Sequence, residues 1–182
     1  MEYREEITLR DGRTCVLRHA AAADGEAMLD LFLRTHAETD FLLTYPEETT
    51  FTAQEEAAYL QGKAEQPDAL ELLAQVEGQI VGSAGFEPVG RKEKLRHRAD
   101  FGISVERRFW HLGIGQALTQ RCIALAAAAG FAQLELEVVA DNAPALALYR
   151  RLGFVEYGRN PKGFRSRCSG WQEVVLMRLE LR

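Results

Sequence analysis

Apolar positions recur along this chain with two periods, and the places where the period changes mark its elements. The clearest switch lies between Asp100 and Gly115, in the stretch DFGISVERRFWHLGIG. Phe101, Ile103 and Val105 alternate with Asp100, Gly102 and Ser104, the period of a strand with two unlike faces. The polar run Glu106-Arg107-Arg108 breaks it. Gly113-Ile114-Gly115 then opens a segment whose Ile114, Ala117, Leu118 and Leu125 share one helical face, and Gly130 ends it. The first N–H groups of a helix have no partner inside it and carry the positive end of its dipole. Glycines let a ligand approach them closely, so the turn reads as a seat for phosphate or pyrophosphate.

The same two periods organise the rest. Ile7-Thr8-Leu9 and Cys15-Val16-Leu17 flank Asp11-Gly12 as a hairpin. Asp24 is the expected N-cap of a helix with Ala27, Met28, Leu31 and Phe32 on its apolar face. Residues 36–50 are irregular and acidic, yet Phe41, Leu42, Leu43 and Tyr45 make them too apolar for a free linker. Thr52-x-x-Glu55 is a capping box opening a second helix to about Glu65. Two strand-like runs around Glu77-Gly78 make another hairpin. The basic loop 88–98 that follows reads as a solvated tip. Leu134, Leu136 and Val138 form a strand, and Asp141-Asn142-Ala143-Pro144 starts a helix with Ala145, Leu148, Tyr149 and Leu152 inward. Gly153 stops it, Phe154 begins a strand, Asn160-Pro161-Lys162-Gly163 is expected to turn the chain, and a last strand runs from Glu173. Without repeats or linkers, residues 1–182 are expected to form one α/β domain around a mixed sheet.

Composition narrows the function. A net charge of −5 argues against a nucleic-acid partner. Cys15, Cys122 and Cys168 are odd in number and far apart, and with four scattered histidines they form no metal-ligand pattern. A reducing, cytoplasmic setting is expected. The N-terminus lacks a signal-peptide core, and no apolar run approaches membrane-spanning length. A dinucleotide turn is disfavoured by spacing: seven residues separate Val105 from Gly113, and Leu118 stands where a third glycine belongs.

Three segments in this order carry a family likeness: Val105 through Gly115, LELEVVADN (134–142) and ALALYRRLGF (145–154). Together they resemble the core of the GNAT-type (GCN5-related) N-acetyltransferases. The resemblance implies a mixed, mostly antiparallel sheet of about seven strands flanked by about four helices. It implies acetyl-coenzyme A as donor and no metal. In similar proteins the donor lies in a gap between the strands ending here near Val105 and Val139. Ile103, Ser104 and Val105 would meet the pantetheine arm, and the turn Leu112, Gly113, Ile114, Gly115 and Gln116 would seat the pyrophosphate. The family pattern there, Gln/Arg-x-x-Gly-x-Gly/Ala, has Trp110 in its first place in this chain. Asn142 matches a pantetheine contact and is equally a plain N-cap. Tyr149 matches the phenol that protonates the departing thiolate, and Glu137 a glutamate used as base in members that acetylate protein N-termini. Glu135 shares the strand face of Glu137, Asp100 and Glu87 are further candidate bases, and His111 reads as a solvated turn residue.

The resulting expectation is acetyl transfer by direct attack of a primary amine on the thioester, on a small-molecule acceptor. A peptide N-terminus is the rival acceptor, and a non-catalytic acyl-coenzyme A regulator is the rival class. No nucleic-acid or membrane partner is expected, and a homodimer is left open. Glu38, Asp40, Glu47 and Glu48 suggest a loop that attracts a cationic amine.

Overall fold

The computed structural model describes residues 3–181. In chain order these form β1 (Arg4–Thr8), β2 (Thr14–His19), α1 (Gly25–Glu38), α2 (Ala53–Ala64), β3 (Leu70–Val76), β4 (Gln79–Pro88), β5 (Arg98–Val105), α3 (Ile114–Ala128), β6 (Gln133–Val139), α4 (Ala143–Arg151), β7 (Val155–Ser166) and β8 (Gly170–Glu180), with short 3-10 turns between some of them. One sheet takes the order β1-β2-β3-β4-β5-β6-β8-β7. Its eight strands exceed by one the count of about seven that the family resemblance implied, and the expected N-terminal hairpin forms as β1 and β2.

Side-chain alternation divides the molecule into layers. Leu72 and Ala74 of β3 face α3 and α4, joining Phe86, Phe101, Ile114, Leu118, Leu134, Leu146 and Tyr149 in the larger core. Leu73 points the other way, into a smaller core with Met28 and Leu31 of α1, Leu60 of α2 and Ile80. Register carries these faces across the sheet. Ser83, opposite Leu73, therefore lies on the α1/α2 face, and so do the cross-strand pairs Ser83–Ser104, Gly85–Gly102 and Glu87–Asp100.

One break in this sheet positions everything that follows. Among the described residues β5 and β6 are the only parallel neighbours, and they pair over just three positions, Arg98–Gln133, Ala99–Leu134 and Asp100–Glu135. Beyond Asp100 the two strands part. Residues 101–105 keep β4 on one side and have no strand on the other. Unpaired main-chain groups of this kind must find other partners.

Two local expectations are corrected. Asp24 precedes α1, but its side chain makes no cap bond. Its carboxylate accepts from Arg18 at 2.7 and 2.8 Å and from the Ala21 N–H at 2.8 Å. The bidentate guanidinium pair, two parallel charge-assisted bonds, takes the carboxylate that would otherwise cap α1. Asn160–Gly163 does not turn the chain. These residues sit inside β7 at an irregularity between Asn160 and Phe164, and the hairpin turns at 167–169 instead. β7 is an edge strand, where a missing proline N–H costs no ladder bond. The Thr52 capping box forms as expected, with Glu55 N–H bonding Thr52 Oγ1 at 3.3 Å and the Glu55 carboxylate returning to Thr52 N–H at 2.7 Å.

Candidate active site

The glycine turn is held open by its own backbone. Gly113 has φ +102°, which only glycine adopts without strain, and His111 just before it stands at φ +63°. Gly113 is the N-cap of α3 and offers no side chain to cap it. The first N–H groups of α3 are thus left for a ligand. The β1–β2 turn braces the loop from behind, with Arg10 N–H donating to the Leu112 carbonyl and Arg10 Nη1 to the His111 carbonyl, both at 3.1 Å.

A cavity of about 440 Å³ opens on this turn. Ile103, Ser104 and Val105 line it, as do Gly113, Gly115, Gln116, Asn142 and Tyr149. Leu112 and Ile114 are absent from its wall: Leu112 packs on the core and Ile114 is 1% exposed, so only their main chain can serve a ligand. Asn142 does both jobs foreseen for it. Its Oδ1 accepts from the Ala145 N–H at 3.3 Å as the α4 cap, while the residue lines the cavity. Trp110 has found a different use from a phosphate contact: its indole N–H donates to the Val105 carbonyl at 2.6 Å, tying the turn to the end of β5. His111 is exposed at the turn.

Tyr149 is 7% exposed, packs edge-on against Phe101 and meets Phe154 with the rings tilted. Its hydroxyl has no hydrogen-bond partner among the described residues, and burial pushes its phenol well up. It is therefore a protonated group facing the cavity at neutral pH, the form a proton donor needs. Arg10 and Arg151 bring positive charge to the same wall, and neither stood out in the sequence because each sits in an ordinary polar run.

A second cavity of about 310 Å³ lies on the α1/α2 face and shares Leu42, Ile103 and Ser104 with the first. Ser83, Glu87, Asp100 and Gly102 form its sheet wall, and Phe32, His36 and Lys63 come from the helices. A side chain at Gly102 would meet nothing within 4 Å, so that glycine leaves the space open. Lys63 is spent on Glu71 at 2.9 Å, with both side chains nearly buried. Burial alone would lower its pKa, but the Glu71 charge and bond and the Tyr59 hydroxyl raise it instead. His36 donates from Nδ1 to the Phe32 carbonyl at 2.8 Å, since a carbonyl can only accept. Burial lowers its pKa, so the ring is neutral with a lone pair on Nε2. Periodicity placed His36 merely at a helix end, and its role in the wall needed the fold.

The candidate bases divide. Glu135 is held bidentately by Arg98 and is not free. Glu137 is exposed on β6, two residues beyond the last β5–β6 pair, and lies outside both cavity walls. Glu87 and Asp100 line the second cavity. Asp100 is raised by desolvation at that wall and then by the charges of Glu137, Glu87 and Glu135.

The acidic loop is built differently from the expectation. Asp40 accepts from Ser166 Oγ at 2.7 and 2.8 Å, from Ser169 Oγ at 2.8 Å and from Gln172 Nε2 at 3.2 Å. Arg167 stacks on Tyr45 at 4.1 Å, bonds Glu47, and sends its N–H to the Tyr45 hydroxyl at 2.8 Å. Glu38 accepts from Arg107 N–H at 2.7 Å, and Glu48 closes its own turn on Tyr45 N–H at 2.8 Å. All four acids are committed inside the protein. Asp40 and Glu47 clamp the loop to the β7–β8 hairpin while Phe41 and Leu42 line the first cavity.

Comparison with known proteins agrees with this geometry. The model of the Acetyltransferase (GNAT) family matches residues 27–154. The L-amino acid N-acetyltransferase AaaT of Escherichia coli (strain K12) is 30% identical over 151 residues, covering 81% of this chain and 86% of that protein. A GNAT-family acetyltransferase from Streptococcus pneumoniae superposes with a TM-score of 0.87 at 27% identity, over 92% of this chain and 99% of the other. A GNAT phosphinothricin acetyltransferase from Sinorhizobium meliloti, solved in complex with acetyl-CoA, superposes with a TM-score of 0.80 at 23% identity, over 92% and 88% of the two chains. With its parted parallel strands, its uncapped glycine turn and a family match spanning most of its length, this chain belongs to the GNAT family of N-acetyltransferases.

Proposed function

We propose that this enzyme transfers acetyl from acetyl-coenzyme A to the primary amine of a small molecule by direct attack on the thioester. The observation that carries the small acceptor is the clamp between the 39–50 loop and the β7–β8 hairpin. It bridges two segments that would have to part for a long peptide, and a second cavity of about 310 Å³ joins the first at Leu42, Ile103 and Ser104. A volume at the small end of ligand pockets suits a small amine. The relatives named above that act on amino acids or phosphinothricin fit the same class.

Each residue then has a part. The N–H groups opening α3 hold the pyrophosphate, helped by Arg10 and Arg151 at the wall. The open edge of β5 at Ile103–Val105, apart from the Val105 carbonyl that Trp110 takes, and the Asn142 amide hold the pantetheine arm. Bound there, acetyl-coenzyme A supplies an acyl group that an amine can attack without a covalent enzyme intermediate. Tyr149 gives its proton to the departing sulfur. Glu137, at the lip of the β5–β6 gap, takes the amine's proton through solvent.

Tyr149→Phe tests the assignment. Thiol release should fall by roughly 10²–10⁴, the span of general acid catalysis, with acetyl-coenzyme A affinity little changed by calorimetry. Wild-type turnover in that variant would return Tyr149 to core packing.

A further inference from the structure

The carboxylates on the α1/α2 face of the sheet fall into two groups. Glu71 has Lys63, and Glu135 has Arg98. Glu87, Asp100 and Glu137 have no cationic partner among the described residues. Two of them, Glu87 and Asp100, are direct cross-strand neighbours. Like charges placed opposite one another in a sheet repel, and no cation among the described residues bonds either of these two exposed side chains. Both face the second cavity. Its remaining charges, Lys63 and Glu71, cancel, and His36 is neutral, so the cavity carries net negative charge. Deeper in the same wall, Ser83 is 9% exposed and its hydroxyl has no hydrogen-bond partner among the described residues. Opposite Ser104 in the register, this hydroxyl opens on the cavity near its junction with the first and is available to a polar ligand.

We propose that the acceptor carries a second cationic group, held by Glu87 and Asp100, while its reacting amine lies where the two cavities meet, near Ser83 and Ser104. This rests on the acetyltransferase reading above and names the acceptor as a diamine or polyamine. Ile103 stands three residues from Asp100 along β5, roughly 10 Å at strand rise, so the two nitrogens must be separated by several methylenes. A free carboxylate at the far end would meet two unpaired acids, which sets this chain apart from a relative named for L-amino acids.

Three acceptors of one length isolate the far end: 1,6-diaminohexane, hexylamine and 6-aminohexanoate. Thiol release from acetyl-coenzyme A should show kcat/KM highest for the diamine and lowest for the aminohexanoate, by on the order of tenfold or more, with the preference shrinking as salt rises. In the E87Q/D100N double variant the ratio of diamine to hexylamine should collapse towards one. Independently of turnover, 1,6-diaminohexane should raise the melting temperature of the wild-type protein in saturating coenzyme A and leave that of the double variant unmoved. Equal kcat/KM for diamine and hexylamine, or a preference for the aminohexanoate, would overturn the diamine site and leave the acetyltransferase reading standing. Absence of acetyl-coenzyme A binding by calorimetry would overturn both.

Discussion

Gly113 and Gly115 look alike in the sequence and do different work. The first stands at φ +102°, where a Cβ is strained whatever space surrounds it. A Cβ on the second would meet Leu148 Cδ2 at 3.7 Å and Ile103 Cδ1 at 4.0 Å, ordinary contacts. Gly113→Ala should therefore cost about 1–2 kcal/mol in a melting experiment, the price of left-handed backbone for an L-residue, and weaken acetyl-coenzyme A binding. Gly115→Ala should leave stability unchanged. Equal losses would mean that crowding, and not backbone conformation, governs the turn. Asp100 offers a second test at this scale. Desolvation and then Glu137, Glu87 and Glu135 hold its carboxyl above the ordinary range. For a raised acid, the stability of the protonated form is present below the unfolded value and is lost as pH rises through the folded value. Asp100→Asn should thus raise the melting temperature at neutral pH, with the gain vanishing below about pH 4. A gain that persists in acid would place the effect outside titration.

Between elements, the decisive contact is the clamp. The 39–50 loop has no regular structure beyond a short 3-10 turn, so its position depends on side-chain bonds to the β7–β8 hairpin. Asp40 is the centre of that set, accepting from Ser166, Ser169 and Gln172. Asp40→Ala leaves those donors without their acceptor and should cost about 1–3 kcal/mol. Because the loop also carries Phe41 and Leu42 into the cavity walls, the amine KM should rise by on the order of tenfold, a loss of positioning. An unchanged KM in a folded variant would show that the loop does not shape the acceptor site.

Across the whole molecule, function follows from where pairing in the sheet stops. Three register positions join β5 to β6, and the separation beyond them joins the α3/α4 side to the α1/α2 side. The first cavity lies mainly with the first layer and the second with the other, and they meet at Leu42, Ile103 and Ser104. No helix among the described residues is long and apolar enough to cross a membrane. The interior ion pair Lys63–Glu71 anchors α2 to β3 at the edge of the second cavity. Such a pair adds little against an apolar replacement, yet losing one partner alone strands a buried charge.

Period and turn chemistry were enough to draw the elements. The two-residue alternation around Phe101, the helical face through Leu118 and the capping box at Thr52 depend on neighbours a few residues away, and all three formed as read. The family likeness in 105–115, 134–142 and 145–154 likewise lay in the order of residues along the chain, and the uncapped turn and the wall around Tyr149 agree with it. What the chain alone could not decide was pairing over distance. Asp24 looked like a cap until Arg18 was brought beside it, and 160–163 looked like a turn until β8 fixed the register of an edge strand. The acids of residues 38–48 looked free until the β7–β8 hairpin consumed Asp40 and Glu47. Glu87 and Asp100, thirteen positions apart, became one site only through the antiparallel register of β4 and β5. A local pattern fixes which side of an element a residue occupies, but the partner that neutralises its charge, or fails to, is chosen by the tertiary fold.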